Sequence, residues 1–171
     1  MSIHFSVKNL IDLQEEVNKK IDDLKIPNYH PNIIAVSKTF PMEKIKPLIE
    51  YGHTHFGENK VQEAVEKWTN EKEKNPDICL HMIGKLQSNK VKFAVKLFDY
   101  IHSVDSIKLA KKIAEEQDKL NKKVKLFIQV NLNNEDQKSG ISIGSVNELL
   151  ERCKIGRAHV WTPVTDVSRM P

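Results

Sequence analysis

Apolar and polar positions alternate along this chain with two periods, one typical of helices and the other of strands. Near the amino terminus, apolar residues recur every three or four positions between charged side chains. They are Leu10, Leu13, Val17, Ile21 and Leu24. This spacing predicts an amphipathic helix over about residues 6–25, and Pro27 and Pro31 are expected to end it.

Five short apolar runs and five helical patterns follow in alternation. The apolar runs cover residues 32–37, 55–57, 78–83, 100–104 and 124–130. The helical patterns cover residues 42–51, 60–74, 90–98, 106–120 and 145–152. Because a strand, a helix and a further strand form the repeating unit of parallel sheets, this order predicts an α/β fold.

Local signals refine three of the predicted helices. Asn59 and Gln62 have the spacing of a capping box ahead of the second helical pattern, and Ser106 is placed to cap the fourth. Pro47 falls inside the first of these helices, so we expect a kink there.

Two architectures fit parallel strand–helix units: a doubly wound open sheet and a barrel of eight units. Residues 32–154 hold five units of about 25 residues each, whereas eight units need a chain of about 200 residues or more. About three units are therefore missing on the barrel interpretation. An open sheet usually has a glycine-rich turn after its first strand, and residues 37–41 contain no glycine.

The composition is that of an ordinary globular protein. The chain has 27 Lys and Arg against 23 Asp and Glu, a net charge of +4, 39% apolar residues and two cysteines. Disulfide-stapled, collagen-like and wholly disordered proteins are therefore excluded. No run approaches about 20 apolar residues, and no export signal is recognisable, so we expect a protein of the cytoplasm.

Signature motifs of several enzyme classes are missing from the sequence. There is no GxxxxGK[ST] loop, no HExxH, no paired CxxC and no GxSxG turn. Phosphate-loop, zinc-hydrolase and serine-hydrolase activities therefore have no support, and no catalytic or metal-binding residue is predicted.

The carboxyl-terminal segment differs in composition from the rest of the chain. Residues 1–154 contain 24 Lys and one Arg, whereas residues 155–171 contain two Arg and no Lys. The run Ile155-Gly-Arg-Ala-His-Val160 resembles the translation of a sequencing-library adapter, with Trp161 at a codon that is normally a stop. Our hypothesis is a domain over residues 1–154 and a non-native tail over 155–171, and the alternative is a natural irregular tail.

The strongest chemical candidate is Lys38, which follows the apolar run 33–36. Because ligands bind at the carboxyl ends of parallel strands, its amine is expected at the mouth of a site. Partial desolvation would favour a neutral amine, which forms Schiff bases with aldehydes. The competing interpretation is a solvated lysine at a strand end, the common case for a lone lysine.

Two further candidates follow or lie in other predicted strands. Asn59 follows Gly57, which permits close approach of a ligand, and its amide can bond to a polar ligand atom. His81 lies in the third predicted strand, next to a polar segment. The plainer interpretations are a helix cap for Asn59 and a buried, hydrogen-bonded histidine for His81.

The motifs around these residues together resemble the pyridoxal phosphate homeostasis proteins. They are Ala35-Val-Ser-Lys-Thr39, Phe56-Gly-Glu-Asn-Lys-Val-Gln-Glu-Ala64, His81-Met-Ile-Gly-Lys-Leu-Gln-Ser-Asn-Lys90, His102-Ser-Val-Asp-Ser106 and Gln129-Val-Asn131 with Lys138-Ser-Gly140. The resemblance implies a barrel like the amino-terminal domain of alanine racemase. We therefore predict an incomplete TIM-type (β/α)8 barrel of about five βα units preceded by an amino-terminal helix.

The same resemblance implies the cofactor pyridoxal 5'-phosphate, held as a Schiff base on Lys38 with Asn59 near it, and we add His81 as a third cofactor-binding candidate. Members of that family are cytoplasmic carriers or regulators of the vitamin B6 and amino-acid pools without an established reaction. We therefore expect a non-enzymatic homeostasis protein. Its partners are expected to be the cofactor and apo-enzymes that depend on it, not nucleic acid or membrane.

Two alternatives stay open at this point. A racemase-like enzyme would need a second acid/base group facing the cofactor, and no tyrosine or cysteine is placed convincingly for it. A basic RNA-binding or scaffold module is disfavoured because few aromatic residues are present to stack on bases.

The sequence also departs from the family pattern. Lys60, Leu80 and Met82 stand where aromatic residues are usual. The carboxyl third, whose loops grip the phosphate in that family, is not in this sequence, so no phosphate-binding residue is predicted. We expect weak reaction with the cofactor, and poor solubility or oligomerisation from open sheet edges.

Overall fold

The computed structural model describes residues 3–26, 28–132 and 139–155. Helix α1 (Phe5–Asp23) comes first, and strands and helices then alternate. They are β1 (Ala35–Val36), α2 (Met42–Glu50), β2 (His55–Glu58), α3 (Val61–Lys74), β3 (Cys79–Met82), α4 (Val91–Leu97), β4 (Tyr100–Val104), α5 (Ile107–Leu120) and β5 (Lys125–Ile128). Two short strands, β6 (Val130–Asn131) and β7 (Ile141–Ser142), precede α6 (Val146–Ile155).

The order of the strands decides between the two architectures. Strands β1 to β5 form one parallel sheet in which each strand pairs with its neighbours in the chain, in the order β1-β2-β3-β4-β5. A doubly wound sheet instead reverses its strand order at a switch point near the first strand. The consecutive order is that of a (β/α)8 barrel, and the predicted incomplete barrel of about five units is confirmed.

Gln129 links this sheet to a second pair of strands. Its backbone N–H donates to the Val104 carbonyl at 2.9 Å, and its carbonyl accepts from the Ile141 N–H at 2.9 Å. Strands β6 and β7 pair in parallel just beyond it. The sequence pattern did not predict β7, because a two-residue strand has no readable periodicity.

The hydrophobic core lies between the sheet and the helices α3, α4 and α5. A row of apolar side chains crosses the helix-facing side of the sheet without any exposed surface: Phe56, Leu80, Ile101 and Leu126. Trp68, Val95 and Ile113 cover this row from the three helices. Each such side chain contributes about 1.5–3 kcal/mol of burial free energy, so this side of the sheet is a major source of stability.

Helix boundaries agree with the sequence patterns, but the predicted capping box is wrong. Lys60 is the N-cap of α3 and makes no side-chain cap bond, while Gln62 donates to Glu66 at 3.4 Å. Asn59 lies one residue before this cap and directly after the end of β2. The cap of α5 is confirmed, since Ser106 Oγ accepts from the Leu109 N–H at 3.3 Å.

Helix α1 is confirmed, but it buries less of its apolar stripe than the pattern suggested. Its buried residues are Val7 and Leu10, whereas Leu13 is 44% exposed. Within the described ranges, no helix combines the length and the apolar character needed to cross a lipid bilayer.

Candidate functional site

The carboxyl ends of β1 and β2 place Lys38 and Asn59 at the same edge of the sheet. Val36 pairs with Gly57 in parallel register, and each candidate stands two residues beyond this pair. The Ser37 N–H donates to the Gly57 carbonyl at 2.9 Å, so the two chains are still joined directly before Lys38. An amine and a carboxamide therefore leave neighbouring strand ends together.

Lys38 lies in the turn that leaves β1, and its side chain is exposed. Thr39 has a φ of 69°, and the Phe40 N–H donates back to the Ser37 carbonyl at 3.1 Å, which closes the turn. The expected partial desolvation of Lys38 is therefore wrong, because the turn carries its side chain into solvent at the end of a strand that is itself partly exposed. Among the described residues, no hydrogen bond or ion pair engages its amine.

A buried carboxylate fixes the strand end that carries Lys38. Glu58, the last residue of β2, is 1% exposed, and its Oε1 accepts from Ser37 Oγ at 2.7 Å, Lys67 Nζ at 2.9 Å and Trp68 Nε1 at 2.9 Å. Lys67 Nζ also donates to the Ser37 carbonyl at 3.0 Å. The N–H, the carbonyl and the hydroxyl of Ser37, the residue before Lys38, are thus all bonded to β2 or α3.

Glu58 was not among the residues predicted from the sequence, although it lies in the motif over residues 56–64. The alternation of side chains along a strand could have identified it, because Glu58 is two residues from Phe56 in β2 and therefore faces the helices. An acidic side chain on that face must be paired, since burying a lone carboxylate is very unfavourable. That partner is Lys67 of α3, whose side chain is 15% exposed.

Gly84, which follows β3, allows the backbone of Asn59 to approach closely. A Cβ atom at residue 84 would lie 2.2 Å from the Asn59 carbonyl oxygen and 2.7 Å from its Cα. Any other residue would push the two segments apart, so this close approach requires glycine. The Ile83 N–H donates to the Glu58 carbonyl at 2.9 Å and keeps the segments aligned. Asn59 itself is half-buried.

His81 lies on the opposite side of the sheet from the core, within a chain of three hydrogen-bonded imidazoles. Its Nε2 is 2.9 Å from His55 Nδ1, and its Nδ1 is 2.9 Å from His102 Nε2. The ring stacks on Tyr100 with 4.3 Å between centroids and is 4% exposed. Both ring nitrogens are engaged by other histidines, so a direct role of His81 in cofactor binding stays a prediction.

Burial keeps these three imidazoles neutral. It is the main cause that lowers the pKa of His55, His81 and His102, and neighbouring histidines help to bring the pKa of His81 to about 3. A neutral imidazole has one donor and one acceptor nitrogen. The row of three imidazoles can therefore hold its protons in two ways. Both bridging N–H groups donate towards β2, or both donate towards β4.

His55 and His102 were not among the predicted site residues. Their positions in the predicted strands could have identified them, because both lie on the same face of the sheet as His81, in the two strands that flank β3. Across the residues that the structure describes, no group of three or more His, Cys, Asp or Glu side chains is arranged to hold a metal ion. The three histidines bond to one another in series and do not converge on a point.

Comparison with known proteins gives one family and several relatives. The family described as alanine racemase, N-terminal domain, matches residues 18–162. The pyridoxal phosphate homeostasis protein of Pasteurella multocida (strain Pm70) is 38% identical over 147 residues, which are 86% of this chain and 62% of that protein. The chain thus spans less than two thirds of that relative.

Solved structures agree with this assignment. PipY of Synechococcus elongatus PCC7942, in a structure with PLP bound, matches with a TM-score of 0.65 and 38% identity, over 78% of this chain and 62% of PipY. Alanine racemase of Clostridium difficile 630 matches with a TM-score of 0.58 and 18% identity, over 74% of this chain and 34% of the racemase. At 18% identity the racemase is evidence for the fold alone.

The substitution Glu58→Gln is expected to lower the free energy of unfolding by about 2–4 kcal/mol, because Lys67 would keep a largely buried charge without its carboxylate. Urea unfolding followed by circular dichroism measures the change. Glu63→Gln is the matched control, since Glu63 forms an exposed pair with Lys60 that is worth about 1 kcal/mol or less. Equal losses in both variants would contradict the role given to Glu58.

Stability is expected to fall as the pH is lowered from about 6.5 towards 3. Unfolded histidines take up protons near pH 6.5, while the lowered pKa of His81 delays its protonation in the folded protein to about pH 3. Each such histidine adds a slope of up to about 1.4 kcal/mol per pH unit. His81→Gln should flatten the curve, measured by urea unfolding at several pH values. His30→Gln, which removes an exposed imidazole, is the control, and equal flattening in both would refute this explanation.

Proposed function

Because this chain belongs to the alanine racemase N-terminal domain family, we propose that it serves pyridoxal phosphate homeostasis and binds pyridoxal 5'-phosphate through Lys38 and Asn59. The observation that carries the proposal is the position of Lys38. Its amine stands at the carboxyl end of β1, on a strand end fixed by Glu58, beside the strand end that bears Asn59. Ligands of parallel α/β folds bind at this edge.

The residues at this edge fit the chemistry of the cofactor. When bound, pyridoxal phosphate would supply an aldehyde carbonyl, which would condense with the Lys38 amine to a carbon–nitrogen double bond with release of one water. The Lys38 amine is exposed and has no bonded partner among the described residues, so it is available for that reaction. The Asn59 amide offers both a donor and an acceptor to polar atoms of the ring.

Other residues at and near this edge support Lys38 and Asn59. Ser37, held by Glu58 and Lys67, fixes the backbone from which Lys38 extends. Gly84 keeps Asn59 close to β3. For His81 the proposal is an indirect role, because both of its ring nitrogens are already hydrogen-bonded to other histidines.

The wider role rests on the relatives. The relative from Pasteurella multocida is named for pyridoxal phosphate homeostasis and not for a reaction, and PipY has been solved with PLP bound. These names support a cytoplasmic carrier without catalysis, which maintains the cofactor and amino-acid pools and passes the cofactor to apo-enzymes. Racemisation of free amino acids by the protein would contradict the non-catalytic part of this proposal.

Lys38→Ala is expected to abolish the absorbance band that pyridoxal phosphate acquires on forming a Schiff base with the protein. The physical reason is that alanine has no amine, while the exposed position of Lys38 lets the variant fold normally. Absorbance titration of the 171-residue chain with the cofactor, with circular dichroism as the test of folding, makes the measurement.

Lys46→Ala is the matched control, because Lys46 is an exposed lysine on the neighbouring helix α2 and should leave the band unchanged. Asn59→Ala should weaken binding without removing the band, since the amine stays in place. An unchanged band in Lys38→Ala would refute the assignment of Lys38.

A further inference from the structure

A groove on the outer surface of the helical layer has no part in the proposed site. It lies between α3 and α4 and reaches the end of α5, with a volume of about 570 Å³. Its apolar lining consists of Val65, Phe93, Leu97 and Leu120. None of these residues belongs to the edge that carries Lys38 and Asn59, so the groove is separate from the proposed cofactor site.

Phe93 is the most unusual residue of the groove. Helix α4 turns Val91, Ala94 and Val95 into the core, where each has no exposed surface. Phe93 faces the other way and is 47% exposed, and Leu120 across the groove is 38% exposed. Single exposed apolar residues are ordinary, but Phe93 and Leu120 are two large ones that line the same groove, together with Val65 and Leu97.

The rim of the groove is basic. Lys92 and Lys96 stand one helical turn apart on α4, on either side of Phe93. Their like charges repel at this spacing, and α4 contains no acidic residue that could offset them. Lys72, also at the rim, forms an ion pair with Asp99. Glu73 of α3 also lines the groove, but Lys92 and Lys96 outnumber it and leave a net positive charge beside an exposed aromatic ring.

We propose that this groove docks an amphipathic helix of a partner protein, with apolar residues on one face and acidic residues flanking them. The apolar face would cover Phe93 and Leu120, and the flanking carboxylates would pair with Lys92 and Lys96. Helix-in-groove recognition uses anchors at i, i+3, i+4 and i+7, and complementary charge sets its orientation.

Charge also argues against other occupants. A second copy of this chain, docked groove to groove, would bring two sets of Lys92 and Lys96 together, which is unfavourable. Nucleic acid would pair with the lysines but would leave the apolar floor unused, since its backbone contacts are ionic. An acidic amphipathic helix satisfies both features at once.

The test uses a synthetic helix of about 20 residues, with leucines at i, i+3, i+4 and i+7, glutamates beside them and alanines elsewhere. A matched peptide carries lysines in place of the glutamates. We expect the acidic peptide to bind the 171-residue chain saturably by fluorescence anisotropy. The double variant Lys92→Glu/Lys96→Glu should weaken it at least about tenfold and should favour the basic peptide.

Two more variants separate docking from general charge attraction. Phe93→Ala keeps every charge and should also weaken binding at least about tenfold if the ring is an anchor. Lys108→Glu/Lys111→Glu makes the same charge change on exposed positions of α5 outside the groove and should leave the affinity within about twofold. Circular dichroism verifies that each variant is folded.

Several outcomes would overturn the proposal. They are absence of saturable binding, equal weakening by the α5 variant, and indifference to Phe93→Ala. Self-association of the chain that Phe93→Ala abolishes would assign the groove to a second copy. Binding to anionic lipid vesicles that depends on Phe93, without binding to the acidic peptide, would assign it to a membrane surface.

Discussion

The Glu58 carboxylate joins three elements at the point where the strand that leads to Lys38 ends. Its Oε1 accepts from Ser37, Lys67 and Trp68, which belong to the end of β1 and to α3. Strand β1 has only two paired residues, so its ladder alone fixes little of the backbone that follows. A buried carboxylate with three donors supplies the missing constraint, because any displacement of Ser37 would leave charge unsatisfied in an apolar surrounding.

The two faces of the sheet divide the work between stability and chemistry. The helix-facing side is mostly apolar, and Glu58 is buried there with its carboxylate paired. The other side carries the imidazole chain from His55 to His102, stacked on aromatic rings that include Tyr100 and Phe127. The three imidazoles bond to one another in series, and burial lowers the pKa of each, so they stay neutral. The edge that bears Lys38 lies at the carboxyl ends of the same strands, where barrel folds place their ligands.

The order of strands and helices could be predicted from the sequence, because strands and amphipathic helices have different patterns of apolar residues. It did not decide between a barrel and an open sheet until motifs were considered, since strand order leaves no trace in periodicity. Lys38 and Asn59 could be placed at one edge from strand ends alone. The exposure of Lys38, the Glu58 bonds and the approach of Gly84 to Asn59 depend on distances between segments far apart in the chain. The division of the chain at residue 154 stays a prediction, because residues 156–171 lie outside those described.

The most direct test of the account is to find where the cofactor becomes attached. The chain is mixed with pyridoxal phosphate at low concentration, reduced with borohydride, digested and mapped by mass spectrometry. A preferential adduct on the peptide containing Lys38 is the predicted result, despite many other exposed lysines such as Lys46 and Lys108. An adduct spread over surface lysines, with Lys38 unmodified, would contradict the central claim that this strand end is a cofactor site.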